Sequence, residues 1–214
     1  MRRLSLLGLV CVLAACGGNG GSSTSAETQT NASGCVTANQ PSSAVRNQPK
    51  PTRPLDPSKT YDVLIKTNCG NFTIQLDQKQ SPHATASFVS LVEKKYFDRT
   101  IFHRIVPGFV IQGGDPSQTG EGGPGYTTVD RPPSNAAYTH GIVAMAKTAT
   151  QPAGSAGSQF FVVTADDAGL PPDYAIVGEV TDGLDVVDRI GKLGDQSEHP
   201  TQVVELKQAT VSTS

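Results

Sequence analysis

Hydrophobic and polar residues fall into short, regular groups from Tyr61 onward, and the period of the groups changes along the chain. Residues 61–67 and 70–76 are β-rich runs built on Val63, Ile65, Phe72, Ile74 and Leu76. The Asn68-Cys69-Gly70 step between them predicts a hairpin with an exposed turn. At Ser81 the pattern becomes helical. Ser81 can cap a helix with Pro82 at its first position, and Ala84, Phe88, Leu91 and Val92 follow at the spacing of one helical face. Short strand-length runs come next, at 102–105, 109–112, 142–146, 159–164 and 175–180. Residues 184–190 fit a second short helix ended by Gly191, and 202–211 a last strand. Many antiparallel strands with two helices predict a mainly β fold, a closed eight-stranded antiparallel barrel capped by two α-helices.

The first 55 residues carry neither pattern. Arg2 and Arg3 precede a nearly all-apolar run from Leu4 to Leu13, and Ala14-Ala15 places small residues just before Cys16. That layout predicts a secretory signal over 1–15, too short to span a membrane. Leu13-Ala14-Ala15-Cys16 resembles the lipobox of bacterial lipoproteins, which makes Cys16 the expected lipidation site; a plain signal with an incidental cysteine is the alternative. Residues 16–55 are Gly/Ser-rich and then Pro-rich, a composition that cannot build a core and reads as a flexible tether. The foldable domain is then 56–214. Location follows from these segments: exported, lipid-anchored to a bacterial cell membrane, with the domain extracytoplasmic.

Composition narrows the function classes. The chain has 17 basic and 19 acidic residues among 214, and no Trp. With no basic excess, nucleic acid is not expected as a partner, and contact with a membrane is expected through the lipid anchor only. Four cysteines are encoded. Cys11 leaves with the signal and Cys16 takes lipid, so Cys35 and Cys69 remain, and an oxidising compartment favours a bridge between them over two free thiols. The histidines His83, His103, His140 and His199 are scattered and no Cys-x-x-Cys is present, so no metal is expected. Gly120-Glu121-Gly122-Gly123-Pro124-Gly125 matches a dinucleotide-binding glycine pattern, but Pro124 and Tyr126-Thr127-Thr128-Val129 predict loop and strand where that site needs a helix. No nucleophile elbow supports a serine hydrolase, and no cofactor is implied.

The run from Phe102-His103-Arg104-Ile105 through Pro107-Gly108-Phe109-Val110-Ile111-Gln112-Gly113-Gly114-Asp115 closely resembles the signature of the cyclophilin family of peptidyl-prolyl isomerases. Gly157-Ser158-Gln159-Phe160-Phe161-Val162 is similar to the family's second block, with Ala144-Met145-Ala146 leading up to it. The resemblance extends over about residues 61–211, and the tether and lipobox look like the exported forms in some bacteria. It implies acceleration of X-Pro bond rotation in exported proteins, with Arg104 and Gln112 catalytic. Phe109, Val110, Ala146, Lys147, Gln159, Phe161, Leu170 and Tyr174 would form the substrate seat. Proline-containing polypeptides are the expected partners, and a monomer is expected. His103 reads as structural support, because rotation transfers no proton.

Taken singly, these residues have plainer readings: Arg104 as a surface charge, and Phe109, Phe161 and Leu170 as core. A module that binds proline peptides without turnover, or a surface chaperone, is the competing function. Three positions depart from the family pattern. Gly169 stands where relatives carry a pocket tryptophan, Ala146-Lys147-Thr148 replaces Ala-Asn-Ala, and the loop 148–156 is longer. Substrate preference therefore does not follow from the resemblance.

Overall fold

The computed structural model describes residues 30–214. The signal segment 1–15, Cys16 and the Gly/Ser stretch to residue 29 lie outside the described residues. Among the described residues, eleven strands and two helices follow one another. They are β1 (Tyr61–Thr67), β2 (Gly70–Leu76), α1 (Pro82–Glu93), β3 (Thr100–Ile101), β4 (Arg104–Val106) and β5 (Val110–Gly113). After these come β6 (Thr128–Val129), β7 (Ile142–Met145), β8 (Ser155–Ala156), β9 (Phe160–Val163), β10 (Ile176–Asp182), α2 (Leu184–Gly191) and β11 (Glu205–Thr213).

Nine strands form one strongly curled sheet in the order β3-β11-β1-β2-β10-β7-β9-β5-β4, and β6 pairs with β8 separately. The expected closed eight-stranded barrel is therefore corrected to an open, half-barrel sheet. Its two edges, β3 and β4, are consecutive in the chain and are linked through Phe102 and His103 rather than by a ladder. Strands of two and three residues cannot supply a closing register. Instead the Phe102 N–H donates to the Val204 carbonyl (3.0 Å) and the Ile105 N–H to the Glu198 carbonyl (3.0 Å), so neighbouring chain satisfies the backbone at the seam.

Alternation along β1 and β2 sends Val63, Ile65, Phe72 and Ile74 into the hollow of the sheet. There they meet Phe88, Leu91 and Val92 of α1 and Val187 and Ile190 of α2. Phe88, Phe97 and Phe102 each meet Phe160 edge to face at the centre, with centroids 5.4 to 6.0 Å apart. A smaller apolar cluster of Val110, Tyr138, Ala144, Phe161, Val163 and Ile176 lies apart from the main core. In β9, Phe160 and Val162 belong to the first cluster and Phe161 and Val163 to the second. One strand thus serves both the core and the opposite face.

Ser81 stands at the helix N-cap position, but its side chain makes no capping bond. Asp130, distant in sequence, supplies the cap: its carboxylate accepts the Ala84 N–H (2.6 Å) and contacts the His83 ring (2.7 Å).

Residues 30–55 differ from the free tether that composition suggests. Cys35 and Cys69 are joined by a disulfide, and both are buried. The Asn68-Cys69-Gly70 turn is covered as a result, not exposed. Asn68 exchanges bonds with Val36, and Arg189 of α2 donates to the Cys69 carbonyl (2.8 Å). A Cβ at Gly70, where φ is +124°, would meet Val186 at 2.9 Å, so glycine is what lets the helix sit on the turn. Further along, the Ala44 N–H bonds the Pro116 carbonyl (2.8 Å) and the Gln48 N–H the Pro124 carbonyl (2.9 Å). Arg46 donates to the carbonyls of Tyr96 and Asp98, and Lys50 to that of Thr127 (2.8 Å). A polar, Pro-rich segment has no apolar surface for a core of its own. Its amides can still pair with carbonyls on a domain that has one.

Candidate active site

Register places the site. Arg104 of β4 pairs with Gln112 of β5, Gln112 pairs with Phe161 of β9, and Phe161 pairs with Ala144 of β7. The four residues form one row across four neighbouring strands, with their side chains on the same side. Phe109 precedes β5, after a turn in which Gly108 has φ +70°. Its carbonyl is fixed at the end of β9 by the Thr164 N–H (2.9 Å). Standing off the strand, Phe109 escapes the alternation that would otherwise turn it away from Gln112.

A pocket of about 170 Å³ opens over this row, lined by Arg104, Phe109, Val110, Gln112, Ala146, Lys147, Phe161, Leu170 and Tyr174. Every candidate for catalysis or substrate contact is therefore gathered here except Gln159. That residue lines the adjoining cavity of about 570 Å³, which shares Gln112, Ala146 and Lys147 with the pocket. Tyr174 meets Phe161 edge to face at 5.5 Å, and the Lys147 ammonium lies 5.5 Å from the Tyr174 ring centre. Beside Leu170, Gly169 has φ +61° and nothing within 4 Å of where a Cβ would stand, so that wall is open.

The polar side of the pocket is a chain of directed bonds. The Gln112 amide donates to Gln159 Oε1 (3.0 Å), and Gln159 Nε2 donates to the carbonyls of Gly120 (2.8 Å) and Gly122 (2.9 Å). Buried Asp115 holds that glycine loop, accepting the N–H groups of Ser117, Thr119, Gly120 and Gly122. A Cβ on Gly122 would lie 2.0 Å from the Asp115 carboxylate, so these glycines serve a carboxylate wrap, with no helix opening for a phosphate. Arg104 Nη1 lies 3.4 Å from Gln112 Oε1, and Arg104 Nε donates to Glu198 Oε2 at 2.6 Å.

Two residues at the site escape sequence reasoning. Tyr138 supports Tyr174 from beneath, its hydroxyl donating to the Tyr174 carbonyl (2.8 Å) and accepting the Tyr174 N–H (2.9 Å). Glu198 reaches Arg104 across 94 residues. No local pattern marks either one.

Burial pushes the His103 imidazole below its usual range; Asp115 opposes the shift and Arg104 adds to it. Burial would raise the Asp115 carboxyl, but the Ser117 hydroxyl and the backbone N–H groups outweigh it and hold the group low. Both shifts have one sign. The unfolded chain takes up protons that the folded chain refuses, so stability is lost as pH is lowered. We expect a melting temperature that is level above about pH 7. It should drop first as pH is lowered past the ordinary histidine value near 6.5, and again below about 4, where the Asp115 carboxyl takes a proton in the unfolded chain and still resists it in the folded one. Replacement of His103 by Gln should abolish the first drop in calorimetry at a series of pH values. An unchanged profile in that variant would contradict a neutral His103 with its ring nitrogens shielded from water.

The chain matches a known family over most of its length. The family model for cyclophilin-type peptidyl-prolyl cis-trans isomerases matches residues 62–211. The chain belongs to the cyclophilin family. It is 34% identical over 155 residues to an Arabidopsis thaliana peptidyl-prolyl cis-trans isomerase, covering 70% of this chain and 93% of the relative. It is 36% identical over 157 residues to one from Helicobacter pylori, covering 66% of this chain and 93% of the relative. Among solved structures it is similar to a Cryptosporidium parvum cyclophilin-type isomerase crystallised in the presence of the dipeptide Ala-Pro. The TM-score there is 0.65 with 33% identity, over 71% of this chain and 98% of the other. This cyclophilin is thus a peptidyl-prolyl cis-trans isomerase by family.

Proposed function

We propose that this cyclophilin speeds X-Pro rotation in exported proteins through a hydrogen bond from the Arg104 guanidinium to the prolyl nitrogen. The observation that carries the reading is the cross-strand row: a guanidinium beside a carboxamide at the mouth of a small apolar pocket.

Rotation through 90° breaks amide resonance, against a barrier of ~18–20 kcal/mol. As resonance is lost, the prolyl nitrogen regains a lone pair that the planar amide lacks. A donor aimed at that nitrogen bonds the twisted state more strongly than either planar isomer, and only such differential binding accelerates the step. The Arg104 guanidinium has donors to spare, in a planar fork. Its bond to the nitrogen is worth roughly 1.5–3 kcal/mol, a factor of about ten to a hundred in rate. Phe109, Val110, Phe161 and Leu170 seat the proline ring, and the Gln112 amide holds the adjacent carbonyl. The remainder of the acceleration comes from orientation and exclusion of water. Protease-coupled cleavage of a Pro-containing peptide tests the activity. Isomerisation no faster than the uncatalysed ~10–100 s would contradict it, and would favour the peptide-binding module.

Export is the other half of the proposal. The charged and apolar layout of 1–15, the lipobox ending at Cys16 and a disulfide in the mature domain support a lipid-anchored, extracytoplasmic enzyme. Replacing Cys16 with Ser should move the protein from the membrane to the soluble fraction with isomerase activity intact. A Cys16→Ser protein that still sediments with membranes would contradict acylation as the anchor.

A further inference from the structure

Arg104 sits on an edge strand of three residues, with a side chain about one-third exposed. A long side chain in that position samples many rotamers, and each must be lost again whenever the twisted amide forms. Gln112, at 3.4 Å, is too distant to hold it firmly. The strong restraint comes from the loop after α2.

That loop is built to deliver one carboxylate. Asp195 accepts the N–H groups of Ser197 (2.8 Å) and His199 (2.9 Å) through its side chain, and the Glu198 N–H through its carbonyl (3.1 Å). Gly194 lies so close to β4 that a Cβ would come within 2.1 Å of the Ile105 carbonyl. The Glu198 carbonyl takes the Ile105 N–H (3.0 Å), fixing its backbone beside the residue that follows Arg104. Glu198 itself has φ +66°, a left-handed conformation that side-chain-bearing residues rarely adopt. Conformations of this kind persist only where surrounding bonds enforce them, and they gather at functional positions. From there Oε2 reaches Arg104 Nε at 2.6 Å, and the guanidinium in turn holds the Glu198 carboxyl below its ordinary range.

We propose that Glu198 is a positioning residue for the isomerase reaction, gripping Arg104 by Nε so that the two terminal nitrogens face the proline pocket. The grip uses the one guanidinium nitrogen on the stem side. It leaves Nη1, already turned toward Gln112, and Nη2 for the substrate. The proposal rests on Arg104 as the catalytic donor. An ordinary exposed ion pair would have little effect on anything, and that difference is measurable.

The experiment compares kcat and KM for a Pro-containing peptide, from line-shape or exchange NMR, in Glu198→Ala, Glu198→Gln, Arg104→Ala and the Glu198→Ala/Arg104→Ala pair. Glu198→Ala should lower kcat about five- to tenfold with KM within twofold and an unchanged melting temperature. Glu198→Gln should recover most of the loss, because its amide oxygen still accepts the Nε–H. In the Arg104→Ala background, Glu198→Ala should change nothing further. The Arg104 Nε–H resonance should also be protected from exchange in the wild type and in Glu198→Gln, and lose protection in Glu198→Ala. Full kcat in Glu198→Ala with a crippled Arg104→Ala would overturn the proposal alone. So would an equal loss from Glu198→Ala in both backgrounds. Full activity in Arg104→Ala would overturn this proposal and the Arg104 mechanism together.

Discussion

Replacing Arg104 with Ala is expected to lower kcat/KM for a Pro-containing peptide by at least tenfold while the fold persists. The size follows from the proposed mechanism, in which the variant loses one hydrogen bond from a charged donor that would form fully only as the amide twists. Structural damage should be small, because Arg104 lies at the open edge of the sheet and its firm partner is one exposed carboxylate. Lysine should not rescue. It keeps the charge but lacks the planar fork that can be held at Nε and still present two nitrogens. Alanine at Phe109 or Phe161 should instead raise KM, since those rings line the pocket proposed to seat the proline and carry no developing charge. Protease-coupled kinetics on folded variants separate the two patterns. An Arg104→Ala enzyme at wild-type kcat/KM would remove the guanidinium from the mechanism.

The second large effect concerns stability. Cys35→Ser should cost roughly 3–4 kcal/mol, the chain-entropy value for closing a loop of the 34-residue separation between the two cysteines. For a domain of this size the melting temperature should fall by about 10 °C. The bridge also anchors one end of the segment that reaches the carbonyls of Pro116, Pro124 and Thr127. Its loss should therefore raise amide exchange along residues 36–50 before it affects β1 or β2. Reductant should bring the wild-type melting temperature down to that of the variant. Wild-type protein that melts unchanged after both thiols have been alkylated would contradict a stabilising bridge.

Legibility in the sequence followed length and periodicity. β1 and β2 were readable to the residue because seven positions of β-rich sequence flank a turn of Asn and Gly. α1 was readable from Pro82 and an apolar face. Strands β3, β6 and β8 carry two residues each, too few to set a period, and without β3 the open edge of the nine-stranded sheet could not be inferred. Nearly all of the pocket was legible because Arg104, Gln112 and Phe161 lie in two compact family blocks. What those blocks omit is support from a distance. Asp130 caps α1, Tyr138 props Tyr174 and Glu198 grips Arg104, each through tertiary contacts that no local spacing encodes. The segment 30–55 misleads for a related reason. Composition reports whether a stretch can bury apolar area, and is silent on whether its backbone amides find carbonyls elsewhere.

In the proposed mechanism Arg104 stabilises the twisted amide rather than the bound peptide. Exchange NMR on a peptide held at saturation measures cis–trans interconversion on the enzyme directly, apart from capture and release. Arg104→Ala is expected to slow interconversion of the bound peptide at least tenfold while the bound fraction stays within about twofold of wild type. Equal interconversion rates in the two complexes, or a loss wholly explained by weaker binding, would contradict it.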